Sequence, residues 1–231
     1  MTKAIVLLSG GLDSATNLAL AHSKGHDLYV LSFNYGQRHK VELEYAKRLV
    51  ATYPVIEHKI AQLDLTIFGG SSLTADLDVP KDRSVEEMVA SIPNTYVPAR
   101  NTVFLSYALA WADVLKADKI YIGVNALDYA GYPDCRPEFV QAFQNVADVA
   151  LQSTTEAIVP KLQIESPLIN LNKEEIIQLG ASLSVNFKNT SSCYDPDLEK
   201  GACGRCDACI LRRDAFMATL NSDPTFYRSA N

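Results

Sequence analysis

Short apolar runs and segments of helical periodicity alternate along the chain. Apolar runs that predict buried strands cover residues 4–9, 27–36, 54–61 and 119–125. Apolar residues three or four positions apart predict helices, one ending before Gly25 and others over 38–53, 101–117, 136–153 and 172–183. Strands and helices in alternation predict an α/β fold with a doubly wound, mainly parallel sheet.

Residues 62–99 interrupt this alternation. They are rich in serine, proline and aspartate and contain one short helical pattern, at 84–91. Ligands bind doubly wound sheets beyond the carboxyl ends of the strands. The loops that would meet there are 9–14, 34–39 and 124–136. We therefore interpret 62–99 as an irregular excursion near a substrate mouth, with an inert surface insertion as the alternative.

Composition and charge narrow the class of protein. The 231 residues are 48% hydrophobic and 21% charged, which is typical of a globular chain. The formal net charge is −6, so we expect no direct binding of nucleic acid. The N-terminal apolar run is too short for a signal peptide, and no window approaches the roughly 20 apolar residues of a membrane helix. These features predict a cytoplasmic protein without a membrane association.

The sequence SGGLDS, at 9–14, falls between the first predicted strand and the first predicted helix. Gly10 and Gly11 allow main-chain N–H groups to approach a ligand, and the positive end of the helix dipole faces the same loop. The pattern predicts an anion cradle for phosphate or pyrophosphate. It is neither GxxxxGK[ST] nor GxGxxG. The alternative is a structural Gly-Gly turn in which Asp13 or Ser14 caps the helix.

Four of the five cysteines lie close together near the C-terminus. Cys193, Cys203, Cys206 and Cys209 have the spacing C-x9-C-x2-C-x2-C, and four thiolates suit a structural, tetrahedral Zn²⁺. An iron–sulfur cluster and a redox pair of Cys206 with Cys209 are the alternatives. The isolated Cys135 is interpreted as a buried thiol, although a catalytic thioester is conceivable.

The glycine loop resembles the SGGxDS signature of the N-type ATP pyrophosphatases, which the chain matches in full. The resemblance implies a fold of the adenine nucleotide alpha hydrolase type and cleavage of ATP between its α- and β-phosphates. The loop would hold pyrophosphate, and Asp13 would help to place Mg²⁺. The ATP-binding residues implied in this way are Leu8, Ser9, Gly10, Gly11, Leu12, Asp13, Ser14 and Ala15.

Further stretches resemble one family of that superfamily, the 7-cyano-7-deazaguanine synthases of queuosine biosynthesis. They are YGQRH (35–39), IPNTYVPARN (92–101), DYAGYPDCR (128–136), ESPL (165–168) and the cysteine cluster. No stretch of 62–91 matches, and Ala130 stands where the family pattern has serine. The resemblance implies zinc in a C-terminal lobe, which we place at 186–231, after a main domain over 1–185.

This resemblance implies an ATP-dependent ligase that converts 7-carboxy-7-deazaguanine and ammonia into the nitrile 7-cyano-7-deazaguanine. A carboxylate resists ammonia because its oxygen is a poor leaving group, so AMP is first transferred to that oxygen. Ammonia then gives an amide, whose oxygen leaves after a second adenylation. One pyrophosphate-binding loop could serve both steps.

The matched stretches also suggest catalytic roles. Arg38 and Arg100 are candidates to neutralise phosphate charge, and His39 is a candidate to carry a proton for ammonia. Together with Asp13 they form the predicted catalytic set. Core packing and surface exposure are the alternatives for His39, and a helix cap is the alternative for Asn101.

The stretch DYAGYPDCR suits a planar heterocycle. Tyr129 or Tyr132 could stack on the deazaguanine ring, and Asp128 or Asp134 could accept its N–H groups. Arg136 could meet the substrate carboxylate. Alternatively, Asp134 merely caps the helix that starts near Arg136.

Two other functions stay open. A tRNA-thiolating relative would share the loop and use Cys206 and Cys209 as sulfur carriers, and a non-catalytic zinc module would bind nucleic acid or a protein. The negative charge and the four-cysteine spacing disfavour the first, and the glycine loop disfavours the second. The helix at 101–117 could supply the face of a homodimer.

Overall fold

The computed structural model describes residues 2–125, 132–152, 161–197, 199–219 and 221–228. Within these ranges, parallel strands form one five-stranded sheet in the order β3-β2-β1-β4-β5. The strands are β1 (Lys3–Leu7), β2 (Asp27–Asn34), β3 (Val55–Gln62), β4 (Lys119–Tyr121) and β5 (Gln163–Glu165). The prediction of a doubly wound, parallel α/β fold is confirmed.

Helices connect these strands and follow them. The described α-helices are α1 (Leu12–Ser23), α2 (Glu42–Val50), α3 (Val85–Ala90), α4 (Arg100–Leu115), α5 (Pro137–Ala150), α6 (Lys173–Ser182) and α7 (Asp207–Ala218). Short 3₁₀ helices lie at Thr66–Phe68, Pro133–Cys135 and Phe187–Asn189. Gly25 follows the end of α1 with a φ of +74°, the left-handed position that glycine commonly supplies after a helix.

Each face of the sheet carries its own apolar core, because side chains alternate between the faces along a strand. On β1, Ile5 and Leu7 belong to the cluster that α4 and α5 cover. Ala4 and Val6 belong to the opposite cluster, together with residues of α1, α6 and α7. All four side chains are buried, as expected for a strand with helices on both faces.

Two predicted boundaries need correction, and two elements were not predicted. The strand expected over 119–125 ends at Tyr121, and the helix expected from residue 38 begins at Glu42. The sequence pattern gave no sign of β5, because its three residues are few and include a glutamine and a glutamate. It also missed α7, in which charged residues interrupt the apolar positions.

The carboxyl ends of β1, β2 and β4 lie at the same edge of the sheet, since these strands are parallel neighbours. The C-terminal segment reaches this edge, where the backbone N–H of Ser191 donates to the carbonyl of Gly10 at 2.9 Å. Residues on both sides of the expected 185/186 boundary therefore meet at one edge, and the boundary itself stays a prediction. Over the described ranges, none of the helices has the length and apolar character needed to cross a bilayer.

Candidate active site

A cavity of about 200 Å³ opens at the carboxyl edge of the sheet. The SGGLDS loop forms one wall, and Tyr35, His39 and Glu42 form the next. The first turn of α4 and the loop after β4 continue the lining. Further lining residues are Phe33, Tyr132 with Cys135, Lys173 at the start of α6, Ser191, Ser192 and Tyr194, and Ala208 with Arg212 of α7. Four of the segments matched in the sequence, SGGLDS, YGQRH, IPNTYVPARN and DYAGYPDCR, therefore contribute to one site.

The glycine loop is shaped by tight packing against α2. Gly10 has a φ of +90°, and a Cβ atom at this position would lie 2.2 Å from the carbonyl oxygen of Glu42. The N-cap of α1 is Gly11, which makes no side-chain cap, so neither Asp13 nor Ser14 is the N-cap that the structural alternative required. Since the N-terminus of α1 borders the cavity, its N–H groups and dipole favour an anion there.

Hydroxyl groups brace the same loop. The Gly11 N–H donates to Oγ of Ser9 at 3.2 Å, and the Ser9 N–H donates to Oγ of Ser14 at 3.3 Å. The Ser14 hydroxyl in turn donates to the carbonyl of Gly11 at 3.0 Å. These bonds fix the shape of the loop around the first turn of α1.

Asp13 forms an ion pair that the sequence did not predict. The Nζ atom of Lys173 lies 2.8 Å from both carboxylate oxygens of Asp13, and Lys173 is 8% exposed. Lys173 is the first residue of α6, after the N-cap Asn172. A cation is disfavoured at the positive end of a helix, so a lysine directly after the N-cap was the available signal. This ion pair places the buried ammonium group of Lys173 beside the glycine loop.

The start of α4 is fixed by Asp134. Its carboxylate accepts the backbone N–H of Asn101 at 2.9 Å, and its carbonyl accepts the Asn101 side-chain amide at 2.9 Å. The alternative in which Asp134 caps the helix near Arg136 is excluded, because Arg136 itself is the N-cap of α5 and Asp134 instead caps the first turn of α4 through the Asn101 N–H. With both groups engaged, Asp134 braces the turn that presents Arg100.

Arg100 lines the cavity among groups that favour its charge. Burial opposes the guanidinium charge, but Tyr35, Cys135, Tyr132 and Asp134 together raise the pKa of Arg100 above its ordinary value. The ring of Phe104 lies 5.9 Å from the guanidinium carbon. Arg100 is therefore a permanent cation in the cavity wall, as a phosphate-neutralising residue requires.

The aromatic and thiol groups on this wall are uncharged at neutral pH. Burial raises the pKa of Tyr132, whose hydroxyl is 2.8 Å from that of Thr95. Burial raises the pKa of Cys135 to about 12, and the Asn101 amide lies 3.4 Å from its sulfur. Cys135 is thus a protonated thiol, which disfavours the thioester alternative.

His39 lies in the opposite wall and is 5% exposed, so surface exposure is excluded for it. Its Nε2 atom lies 3.4 Å from Oε2 of Glu42, and its ring packs edge-on against Tyr194 with the ring centres 6.0 Å apart. The Gln37 amide donates to Oε1 of Glu42 at 2.9 Å. The His39 imidazole, the Glu42 carboxylate and the Gln37 amide thus form a connected set of buried polar groups.

Several predicted residues are not brought to the cavity. Arg38 and Arg136 are exposed and do not line it, and the backbone N–H of Arg38 bonds to the carbonyl of Leu73. The expected substrate contacts Asp128 and Tyr129 lie outside the described residues, as does Ala130. The structure therefore gives no support to phosphate neutralisation by Arg38.

The four clustered cysteines form a compact, buried group. Their sulfur atoms all lie within 4.8 Å of one another, and those of Cys203 and Cys209 are 3.9 Å apart. Tetrahedral zinc with Zn–S bonds of about 2.3 Å requires sulfur atoms roughly 3.8 Å apart. Backbone N–H groups of Asp195 and Cys203 donate to the sulfur of Cys193 at 3.3 and 3.2 Å, which suits a thiolate. The residues fit a four-coordinate metal ion.

Residues next to this cluster also shape the cavity, and sequence analysis missed them. Arg212 is 2% exposed and donates to Thr190 at 2.8 Å and to Ser192 at 3.3 Å, while Asp223 pairs with it at 3.0 Å. This holds the segment with Ser191 against the glycine loop. Because the partners lie far apart in sequence, no local spacing could have indicated them.

Comparison with known proteins supports the same picture. The family model described as queuosine biosynthesis protein QueC matches residues 3–220. A 7-cyano-7-deazaguanine synthase of Desulfatibacillum aliphaticivorans is 57% identical over 225 residues, which is 97% of this chain and 96% of the relative. Another, from Solidesulfovibrio magneticus, is 57% identical over 98% of this chain and 96% of its own length.

Among solved structures, NMN synthetase from Francisella tularensis superposes with a TM-score of 0.47 at 19% identity, over 83% of this chain and 65% of that chain. We base no conclusion on this low similarity. The match to the family model covers most of the chain and includes the glycine loop and the cysteine cluster. The chain belongs to the QueC family of queuosine biosynthesis proteins.

Proposed function

We propose that this protein is an ATP-dependent carbon–nitrogen ligase that converts 7-carboxy-7-deazaguanine and ammonia into 7-cyano-7-deazaguanine. The observation that carries the proposal is the 57% identity, over 97% of the chain, to a protein named 7-cyano-7-deazaguanine synthase. The cavity agrees with it, because a helix N-terminus and the cations Arg100, Lys173 and Arg212 line a space at the carboxyl edge of the sheet.

In this proposal the loop of residues 8–15 binds ATP. The N-terminus of α1 favours the negative charge of the β- and γ-phosphates, which leave together as pyrophosphate. Asp13 would hold Mg²⁺, which neutralises phosphate charge when it is bound with ATP. Lys173 balances Asp13 in the absence of ligands, and its ammonium can donate to phosphate oxygens from the same position.

Arg100 is proposed to stabilise the charge that develops as AMP is transferred to the substrate carboxylate. Its rigid placement by Asp134 and Asn101 suits this role, since a fixed cation needs no reorganisation during the reaction. Tyr132 is proposed to contact the deazaguanine ring from the cavity wall. Roles for Arg38, Arg136, Asp128 and Tyr129 rest on the sequence resemblance alone.

The cysteine cluster is proposed to hold one structural Zn²⁺. Four buried sulfur atoms leave no open coordination position for a reactant, so the ion would order the C-terminal lobe rather than take part in the chemistry. The same arrangement disfavours sulfur transfer by Cys206 and Cys209, because a metal would occupy both thiols. Metal analysis that finds no zinc would contradict this part of the proposal.

We also predict that the protein uses free ammonia, forms a homodimer and is located in the cytoplasm. The reducing cytoplasm suits a chain whose five cysteines are free thiols. Tyr107 and Val114 on α4 are exposed at 45% and 80%, which is compatible with a dimer face there.

The direct test incubates the purified protein with ATP, Mg²⁺, ammonium and 7-carboxy-7-deazaguanine and follows the products by mass spectrometry. We expect the nitrile, with the amide as an intermediate. Turnover that stops permanently at the amide, or no acid-dependent turnover, would contradict the proposal. A parallel incubation with tRNA and a sulfur donor tests the thiolation alternative.

A further inference from the structure

His39 and Glu42 form a buried pair with an unsatisfied atom. Both side chains are almost fully buried, at 7% and 12% exposure, and both line the cavity. The Nδ1 atom of His39 is buried and has no hydrogen-bond partner among the residues that the structure describes. A buried polar atom without a partner is energetically unfavourable, so proteins rarely keep one without a use for it.

The protonation of the imidazole follows from its surroundings. A carboxylate only accepts hydrogen bonds, so the Nε2 atom that faces Glu42 carries the proton. With the proton on Nε2, the Nδ1 atom presents a lone pair. The unsatisfied atom is therefore a hydrogen-bond acceptor and a base.

Glu42 makes the pair a site for a cation. Its two oxygens face the neutral Gln37 amide and His39, and no lysine or arginine of the described chain lies within 4 Å of its carboxylate. A buried carboxylate without a permanent cation attracts a small cation and repels phosphate. The ring of Tyr194, packed against His39, adds an aromatic surface that also favours a cation.

The His39–Glu42 pair lies next to the glycine loop. Glu42 begins α2, and its carbonyl oxygen touches the backbone of Gly10 so closely that no Cβ fits there. A small molecule bound at His39 and Glu42 therefore lies near the loop where AMP transfer is proposed. Ammonium is small enough to bind at an enclosed acceptor atom such as Nδ1 of His39.

We propose that His39 and Glu42 bind ammonium and convert it into the ammonia that attacks the adenylated substrate. This inference rests on the proposed function and names the site for one of its substrates. His39 is the base, and Glu42 is a positioning residue that orients the ring and stabilises the imidazolium.

The proton and bond changes balance. Ammonium gives one proton to Nδ1 of His39 and becomes ammonia, whose lone pair forms the C–N bond with the acyl carbon. The bond from that carbon to the AMP oxygen breaks, and its electron pair leaves with AMP. The second proton lost from nitrogen leaves on the AMP phosphate, so the products are the amide, protonated AMP and the imidazolium.

The test compares two glutamate substitutions on one helix. Glu42→Gln removes the buried charge but keeps the shape of the side chain. Glu44→Gln, the matched control, removes an exposed charge that pairs with Lys47 at the surface. For each variant, KM is measured for ammonium, ATP and the acid by nitrile formation. Exchange of labelled pyrophosphate into ATP is measured with the acid and without ammonium.

We expect Glu42→Gln to raise KM for ammonium by roughly tenfold or more, as the loss of a charged hydrogen-bonding partner implies. Acid-dependent exchange and KM for ATP should match those of Glu44→Gln. His39→Gln should lower nitrile formation while exchange persists, and Glu42→Asp should restore part of the affinity for ammonium. Persisting exchange also shows that each variant is folded.

Two results would overturn the inference. One is an unchanged KM for ammonium in Glu42→Gln. The other is a raised KM for ATP with weakened exchange, which would assign the pair to phosphate binding. Failure of the unsubstituted protein to make the nitrile would contradict the proposed function instead, so the two failures are distinguishable.

Discussion

Lys173 is a buried cation in a place where helix electrostatics disfavour it. It opens α6 directly after the N-cap, and its contact with both oxygens of Asp13 compensates for this position. Ionisable groups in such unfavourable positions are concentrated at functional sites, where their charge can interact with a ligand. At the scale of residues, the Asp13–Lys173 pair and Arg100 supply charges beside the proposed phosphate-binding loop.

Asp13→Asn tests the proposed role of this pair. We expect the rate of nitrile formation to fall by about 10²–10³, the loss typical when a preorganised charged contact to the reacting group is removed. Asp27→Asn, at the opposite end of the sheet, is the control and should leave turnover unchanged. Both variants should retain the metal of the cysteine cluster. Near-normal turnover in Asp13→Asn would contradict a role for Asp13 in ATP binding.

Cys135 lines the same cavity as Asp13, but we expect its substitution to have little effect on turnover. A thiol loses its proton only above its pKa, and with a pKa of about 12 Cys135 stays protonated through the neutral range. We therefore expect Cys135→Ala to keep most of its turnover, and thiol alkylation at pH 7–8 to be slow at this position. A loss as large as that of Asp13→Asn would revive the thioester alternative.

Sequence analysis identified those features of the site that are local. The SGGLDS loop and the four cysteines at 193–209 each form one short sequence pattern, so the residue types and their spacing alone predicted an anion cradle and a metal site. The partners of these features could not be predicted in this way. Lys173 is 160 residues away from Asp13, and Asp134 caps a helix that begins 34 residues earlier. Only the topology of the sheet brings such pairs together.

At the scale of elements, the contact between the glycine loop and α2 decides the shape of the cradle. Gly10→Ala would place a Cβ atom 2.2 Å from the Glu42 carbonyl at a φ of +90°. Gly25 also has a positive φ, +74°, but a Cβ atom in Gly25→Ala would lie within 4 Å of no atom of the described residues. The two substitutions therefore share the backbone penalty of about 1–2 kcal/mol and differ in the steric clash.

We expect Gly10→Ala to lower the free energy of unfolding by about 1–3 kcal/mol more than Gly25→Ala does, since overpacking has that typical penalty. Chemical denaturation of both variants measures the difference. Acid-dependent pyrophosphate exchange should be lost in Gly10→Ala alone. Equal stability and equal exchange in the two variants would contradict the packing described for the loop.

A second contact between elements joins the 62–99 excursion to the cysteine cluster. Three consecutive residues each pair with a residue near a cysteine: Lys81 with Asp195, Asp82 with Arg205, and Arg83 with Asp207. The backbone N–H of Asp82 also donates to the carbonyl of Arg205 at 2.8 Å. The excursion continues to Thr95, which bonds to Tyr132 in the cavity wall, so the inert-insertion alternative is disfavoured.

Asp207→Asn should loosen this attachment. Removing the charge that faces Arg83 should speed tryptic cleavage after Lys81 and Arg83 by on the order of tenfold, because hydrogen bonds between charged groups contribute about 1.5–3 kcal/mol. Asp214→Asn, on the same helix, disrupts only an exposed pair with Arg213 and is the control. Identical cleavage rates in both variants would show that the ion pairs do not hold the excursion.

At the scale of the whole molecule, the cavity is assembled from distant parts of the chain. The sheet presents the glycine loop, the excursion fixes Tyr132, and the cysteine-bearing segment contributes Ser191 and Tyr194. The parallel sheet followed from the alternation of strands and helices, whereas the meeting of these three parts depends on contacts between remote residues. A metal ion in the cysteine cluster would thus support the site indirectly, by ordering one of its walls.

The central claim is that this cavity transfers AMP to the substrate twice, with pyrophosphate leaving at the glycine loop each time. The most direct measurement is the ratio of AMP and pyrophosphate to nitrile, with 7-carboxy-7-deazaguanine limiting and ammonium in excess. We predict two AMP and two pyrophosphate for each nitrile formed, and one of each for conversion to the amide. Formation of ADP and phosphate in place of AMP and pyrophosphate would contradict the account.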